Sequence, residues 1–99
     1  MTETNAEATQ QNVSGSIPVQ MKLYASLGVY LPDGSHENIA LMKVAPGTSI
    51  LDLLDSQNVP RESCHLVLLN GIFQAPATRA TTVLKPDDAV AVWPPVAGG

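Results

Sequence analysis

The 99-residue chain is poor in cysteine and has no long apolar runs. Cys64 is its only cysteine, which excludes an internal disulfide and suits a reducing compartment. No apolar run approaches the roughly 20 residues that a membrane-spanning helix requires, so we expect no membrane partner. The N-terminal residues have neither the basic nor the apolar segment of a secretory signal. Together these absences predict a cytoplasmic protein.

Basic residues are also scarce. Five Lys and Arg residues stand against nine Asp and Glu residues, and the formal net charge is −4. Nucleic-acid binding needs a basic patch or stripe, so nucleic acid is excluded as a partner. The expected electrostatic partner is a positively charged protein surface.

Composition divides the chain into three parts. Residues 1–16 consist mainly of small and polar residues, which cannot bury enough apolar surface to offset the entropy of ordering, and they predict a disordered tail. Residues 17–95 contain regularly spaced apolar residues and form the predicted folded domain. Residues 96–99 form a predicted flexible C-terminal tail. A chain of this length has room for one core only.

Apolar patterning predicts five strands, at residues 17–23, 39–44, 66–69, 72–73 and 89–93. Alternation with a period of two marks the first as half-buried. Asn70-Gly71 predicts a tight hairpin between the third and fourth. The last strand is apolar on both faces, which indicates a central position in the sheet, covered on one side by a helix.

One short helix is predicted after the second strand. Thr48 is its expected N-cap, and Asp52 lies in the first turn, where the helix dipole favours an anion. Its apolar stripe comprises Ile50, Leu51, Leu53 and Leu54, and it should end near residues 58–60. Strands and helix in this order predict an α+β domain of two layers.

The remaining reactive side chains favour no catalytic or metal site. Cys64 and His65 are adjacent and His36 is distant, and two or three such ligands do not complete a four-coordinate zinc site. We interpret Cys64 as a buried thiol and the histidines as surface residues. Asp52 and Asp55 are interpreted as a solvated helix face rather than an acid–base pair.

The C-terminal segment predicts a projecting tail. Pro94 and Pro95 supply no N–H donors, so the last strand must end there. Glycine has no Cβ, so Gly98 and Gly99 can enter a narrow channel in another protein. Residues 96–99 would reach roughly 13–14 Å beyond the fold when extended.

The order of elements resembles the ubiquitin-like β-grasp fold, a mixed sheet packed on one main helix. The C-terminal sequence resembles that of ubiquitin-like sulfur carriers of the MoaD/ThiS type, and is most similar to the small subunit of molybdopterin synthase. That subunit typically ends in Pro-Pro-Val-x-Gly-Gly after an aromatic residue, and residues 93–99 read Trp-Pro-Pro-Val-Ala-Gly-Gly. Supporting matches are Gly47-Thr48, Leu53-Leu54 and Leu68-Leu69-Asn70-Gly71. Three departures are the extension at residues 1–16, which has no counterpart in the family pattern, Asp87-Asp88, where Asp-Gly-Asp-like turns are common, and Trp93, where Phe is usual.

The resemblance implies a covalent sulfur carrier rather than an enzyme. An E1-like adenylating enzyme would activate the carboxylate of Gly99 with ATP, and a sulfur donor protein would convert it to a thiocarboxylate. The chain itself would bind no cofactor. The large subunit of molybdopterin synthase would accept the tail, in a heterotetramer. The residues assigned to tail insertion are Gly98, Ala97 and Val96, and those assigned to partner docking are Trp93, Phe73, Pro94 and Pro95.

Three alternatives remain open at this point. The chain could carry sulfur for thiamine thiazole or another sulfur-transfer pathway. It could be a ubiquitin-like modifier joined through Gly99 to lysines of target proteins. It could also be a β-grasp interaction domain whose Gly-Gly end is incidental.

Overall fold

The computed structural model describes residues 15–96 and shows five strands, one α-helix and three short 3-10 helices. All five predicted strands and the predicted helix are confirmed. In chain order the strands and the helix are β1 (Ile17–Leu23), β2 (Ile39–Val44), α1 (Ile50–Ser56), β3 (Leu66–Leu69), β4 (Ile72–Phe73) and β5 (Ala89–Trp93). The 3-10 helices are Ala25–Tyr30, Arg61–Ser63 and Pro76–Thr78. No helix within the described residues is long and apolar enough to cross a membrane.

The strands form one mixed sheet in the order β2-β1-β5-β3-β4. The first and last strands, β1 and β5, pair in parallel, and all other neighbours are antiparallel. β5 therefore lies in the centre, as its apolar composition predicts. This position means that the chain leaves the middle of the sheet where it continues toward its C-terminus.

Only one face of the sheet contributes to the core. Alternate strand residues point toward α1 and meet its buried residues Ile50, Leu53 and Leu54. The fully buried strand side chains are Val19, Met21, Leu23, Ala40, Val67, Val90 and Val92. A two-layer α+β domain is therefore confirmed.

The helix begins one residue later than the sequence suggests. Ser49 is the N-cap: its Oγ accepts a hydrogen bond from the Asp52 N–H at 3.0 Å, and the Asp52 carboxylate accepts one from the Ser49 N–H at 3.2 Å. The prediction of Thr48 as N-cap is wrong, because the Thr48 hydroxyl instead donates to the Ala45 carbonyl at 2.7 Å. A reciprocal pair of this kind gives hydrogen-bond acceptors to two backbone N–H groups at the start of the helix. The helix ends at Ser56, before the predicted 58–60.

Side-chain hydrogen bonds connect the turn before β4 to the turn before β5. Asn70 and Gly71 both have positive φ angles, 51° and 84°, as a tight hairpin turn requires. The Asn70 side chain donates to Asp88 Oδ1 at 2.8 Å and accepts from the Ala89 N–H at 2.9 Å. The hairpin is thereby fixed to the start of the central strand.

Candidate functional site

The candidate site lies where β5 ends. The Trp93 carbonyl accepts the last ladder bond from the His65 N–H at 3.0 Å, and the Val92 carbonyl accepts one from the Tyr24 N–H at 3.1 Å. Pro94 and Pro95 follow, and neither has an N–H with which to continue the ladder. The strand therefore ends at Trp93.

The segment after Trp93 has little contact with the domain. Val96 is 78% exposed, and no hydrogen bond joins residues 94–96 to the rest of the described chain. Pro94 is half-buried and Pro95 is exposed. Ala97, Gly98 and Gly99 lie outside the described residues, so their assignment to tail insertion and sulfur attachment stays a prediction.

An aromatic pair marks the base of this segment. The rings of Tyr24 and Trp93 are stacked, with centroids 4.5 Å apart and planes 10° apart. Sequence reasoning missed Tyr24 as part of the site. The strand register explains the stack, because it places Lys22 beside Ala91, and two residues further along it brings Tyr24 beside Trp93.

The solvent-facing side of the sheet, which we call the outer face, is largely apolar. Phe73 and Trp93 both lie on it, because Phe73 pairs with Leu68, which in turn pairs with Ala91, two residues before Trp93. The predicted docking residues Phe73 and Trp93 therefore share a face. Their strands are two positions apart, which separates them by about 10 Å across the sheet. Phe73 is 56% exposed, which is unusual for so large an apolar side chain.

Charge is distributed unequally between the two sides. On the outer face, the strand positions of the described chain include Lys22 and Lys43 but no acidic residue. On the helix side, Asp55 forms a salt bridge with Arg61 at 2.8 Å, and the hydrogen bond from Arg61 lowers the pKa of the Asp55 carboxyl. Asp52 and Asp55 are exposed, which confirms a solvated helix face.

Cys64 and Arg79 form a buried pair on the core side of the structure. Burial raises the pKa of the Cys64 thiol, and its Sγ donates to the Pro60 carbonyl at 3.5 Å. Arg79 is 5% exposed; its Nη1 donates to the Cys64 carbonyl at 2.8 Å and its Nε to the Gln74 carbonyl at 3.1 Å. The buried thiol prediction is confirmed, and a raised pKa leaves it protonated and unreactive near neutral pH.

The histidines do not join this cysteine in a site. His36 and His65 are exposed, as predicted, and His36 lies in the loop before β2. Among the described residues, no group of three potential ligands is close enough to hold a metal ion. The chemistry that remains is that of the C-terminal segment and the apolar outer face beside it.

Comparison with known proteins gives a family match and a set of structural neighbours. A model of the ThiS family matches residues 36–99, which is more than half of the chain. A comparison with curated proteins finds no significant match.

The structural neighbours are small archaeal proteins. The solution structure of the Haloferax volcanii HVO 2177 protein superposes with a TM-score of 0.68 at 22% identity, covering 96% of this chain and 98% of the neighbour. The crystal structure of SAMP1 from Haloferax volcanii has a TM-score of 0.58 at 20% identity, with coverage of 83% and 99%. The solution structure of the small archaeal modifier protein 1 from Methanosarcina acetivorans has a TM-score of 0.58 at 22% identity, with coverage of 85% and 98%. These likenesses confirm the ubiquitin-like β-grasp fold.

Proposed function

The chain belongs to the ThiS family, and from that premise we propose that it is a sulfur carrier whose Gly99 is converted to a thiocarboxylate. The observation that supports this most directly is the way the central strand ends. The ladder stops at Trp93, two prolines follow, and Val96 is already 78% exposed. A tail that leaves the domain in this way can be inserted into a partner's active site without unfolding any part of the sheet.

The proposed chemistry follows from the properties of a terminal carboxylate. Its ordinary pKa of about 3.3–3.7 makes it an anion at neutral pH, and it does not react with nucleophiles in that form. The carboxylate oxygen of Gly99 attacks the α-phosphate of ATP on an E1-like adenylating enzyme, and pyrophosphate leaves. Hydrosulfide supplied by the sulfur donor then attacks the acyl carbon of the adenylate, so that a C–S bond forms, the C–O bond to AMP breaks and the S–H proton is lost. The product thiocarboxylate carries a nucleophilic sulfur on a protein chain.

The adenylating enzyme and the sulfur acceptor supply the catalytic groups in this proposal. In the described part of the chain, the one cysteine is buried and protonated, and the acidic residues of α1 face solvent. The chain thus serves as substrate and carrier. Its own contribution is the C-terminal tail and the outer face, where Phe73 and Trp93 supply the aromatic side chains that often anchor protein interfaces.

For the final acceptor we propose a molybdopterin precursor bound to the large subunit of molybdopterin synthase. The support is the Pro-Pro-Val-Ala-Gly-Gly ending after an aromatic residue. Thiamine thiazole is the alternative acceptor. Incubating the loaded chain with each acceptor system, and measuring which one returns Gly99 to a carboxylate, separates the two pathways.

A second candidate function is protein modification. It is favoured by the likeness to two small archaeal modifier proteins, SAMP1 of Haloferax volcanii and of Methanosarcina acetivorans. In this function the activated Gly99 forms an isopeptide bond with a lysine of a target protein instead of accepting sulfur. Activation by adenylation is common to both functions, so they differ only in the nucleophile that displaces AMP.

Intact-mass measurement tests both functions in one experiment. The chain is incubated with an E1-like adenylating enzyme of the same source, ATP and a sulfur source. Replacement of one oxygen by one sulfur supports the carrier, and lysine-linked conjugates that appear when target proteins are added support the modifier. A chain whose mass does not change under either condition contradicts both.

Two variants localise the reaction to the tail. Deletion of Gly99 should abolish loading, and Gly98→Val should block it because a β-branched side chain narrows the conformations open to the tail. Both variants should keep the thermal midpoint of the parent chain, which serves as the control for folding. Normal loading of either variant would contradict the proposed insertion of the tail.

A further inference from the structure

Strand β2 forms one edge of the sheet, since it pairs only with β1 within residues 15–96. An edge strand directs every second pair of backbone N–H and C=O groups away from the sheet, where another chain can pair with them. The register between β1 and β2 determines which residues carry these open groups.

Two observations fix the alternation along β2. The Leu23 N–H donates to the Asn38 carbonyl at 3.0 Å, so position 38 and every second residue after it point their backbone groups toward β1. Ile39 exchanges both of its backbone hydrogen bonds with His36, at 3.0 Å each. Odd-numbered residues of β2 therefore point away from β1.

Leu41 and Lys43 are the two odd-numbered residues that follow Ile39, so they carry the open groups. Pro18 lies opposite Lys43 and has no N–H, which agrees with a pair that exchanges no hydrogen bonds. By this alternation neither residue exchanges a backbone hydrogen bond with β1, and no loop or turn of the described chain supplies one. These two residues offer two donors and two acceptors to an added strand.

The side chains beside these groups make the edge selective. Leu41 is 80% exposed on the outer face, and Lys43 is exposed on the same face without an ion pair among the described residues. Two shallow depressions, of about 360 and 310 Å³, lie on the two sides of Leu41 along the strand. The first is lined by the loop that contains Asp33 and Glu37, and the second by Lys43 and Asp87.

We propose that the β2 edge binds an extended segment of a partner protein, which adds to the sheet as a sixth strand. Its backbone pairs with Leu41 and Lys43, an apolar side chain of the segment contacts Leu41, and an acidic side chain two positions away contacts Lys43. An opposite charge directly across an antiparallel pair stabilises it. Asp33 and Glu37 disfavour a second acidic residue at the other end of the segment, and Asp87 beside Lys43 restricts the acidic side chain to the position directly across from Lys43.

The same residues argue against a second copy of the chain as the occupant. Two copies paired about a two-fold axis through these open groups would place each Lys43 against the Leu41 of the other copy. That arrangement sets a charge against an apolar side chain, and a lysine on an edge strand is a common device against self-pairing. The edge therefore favours a heterologous acidic segment.

The proposed site is separate from the tail and goes beyond the sulfur-carrier function. β2 lies two strands from β5, a distance of about 10 Å across the sheet. A segment bound at β2 would leave Trp93 and the residues after it free to engage another protein. The β2 edge would thus hold a partner while the tail is being used.

Amide hydrogen exchange of the full-length, ¹⁵N-labelled chain tests this site. The probe is the capped peptide acetyl-Thr-Ile-Thr-Val-Thr-Glu-Thr-amide, and the same peptide N-methylated at Val is its backbone control. We expect exchange of the Leu41 and Lys43 amides to slow by about tenfold or more with the probe, since a paired amide exchanges only when it opens. The amides of Ala40 and Met42, which already pair with β1, should not change, and the N-methylated peptide should have no effect. The proposal would be overturned if the peptide protected no amides, or protected amides elsewhere in the chain. It would also be overturned if, without peptide, protection of these amides depended on protein concentration.

Charge-exchange variants test the assigned contact. Lys43→Glu should weaken binding of the probe by about fivefold, and should strengthen binding of the peptide in which Lys replaces Glu. Lys85→Glu is the matched control, because it makes the same change of charge at an exposed position that does not belong to β2. Equal effects of the two variants would mean that only net charge matters, and would contradict a contact at Lys43.

Discussion

The two faces of the sheet carry the same strands but serve different purposes. Residues that point toward α1, such as Met21 and Val90, are fully buried, whereas outward residues such as Leu41 and Phe73 are 80% and 56% exposed. A leucine on one face therefore stabilises the domain, and a leucine on the other is available for contact with another protein. The difference between the faces is set by the pleat, because successive side chains of a strand point to opposite sides.

The largest expected effect is a loss of stability on the helix side. Leu53 is 1% exposed and belongs to the buried cluster, so Leu53→Ala should lower the free energy of unfolding by about 2–5 kcal/mol. Leu41→Ala removes the same atoms from the outer face and should change the free energy of unfolding by less than about 0.5 kcal/mol. Denaturant unfolding of the two variants measures this contrast. Equal losses would mean that the outer face also contributes to the core.

The second effect concerns binding on the outer face. Phe73→Ala should leave the unfolding midpoint almost unchanged. It should reduce the efficiency of loading by the adenylating enzyme by about tenfold or more, as expected for an aromatic side chain that becomes buried at an interface. Initial rates of thiocarboxylate formation at several carrier concentrations measure it. Ile72→Ala is the matched control, because Ile72 is exposed on the neighbouring position of β4 but points to the opposite side. A loading defect shared by both variants would exclude a role for the outer face in particular.

The strands and the hairpin could be predicted from the sequence because their signals are local. Period-two alternation identifies β1, and Asn70-Gly71 identifies the turn between β3 and β4. The N-cap was missed by one residue, although Ser49 has Asp52 three positions later and Thr48 has an apolar residue there. The spacing of Ser49 and Asp52, which allows reciprocal hydrogen bonds at a helix start, therefore favours Ser49 as the N-cap.

Other features depend on contacts that no local pattern reports. The stack of Tyr24 on Trp93 requires the parallel pairing of the first and last strands, which are far apart in the sequence. Burial of Arg79 requires the loop after β4 to fold back onto the Cys64 carbonyl. Arginine is rarely buried, so its residue type gives no indication of a buried position. The open edge at Leu41 likewise depends on the order of the strands.

The helix start gives a third and smaller effect. Ser49→Ala removes the acceptor for the Asp52 N–H on the buried side and should cost about 1 kcal/mol. Thr48→Ala removes only an exposed hydrogen bond to the Ala45 carbonyl and should lower the free energy of unfolding by about 0.5 kcal/mol or less. Thermal midpoints should therefore fall by about 4–8 °C for Ser49→Ala and less for Thr48→Ala. The reverse order would restore Thr48 as the functional cap.

The smallest effect contrasts two adjacent aspartates in the turn before β5. Asp87 has φ of 69°, a left-handed conformation that favours glycine, so Asp87→Gly should raise the free energy of unfolding by up to about 1 kcal/mol. Asp88→Gly should lower it, because the Asp88 carboxylate accepts hydrogen bonds from the Asn70 side chain and the Lys85 N–H, both at 2.8 Å. Denaturant midpoints of the two variants should therefore move in opposite directions. If both moved down, the backbone at Asp87 would not be strained, and the departure from the common Asp-Gly-Asp turn would cost the fold nothing.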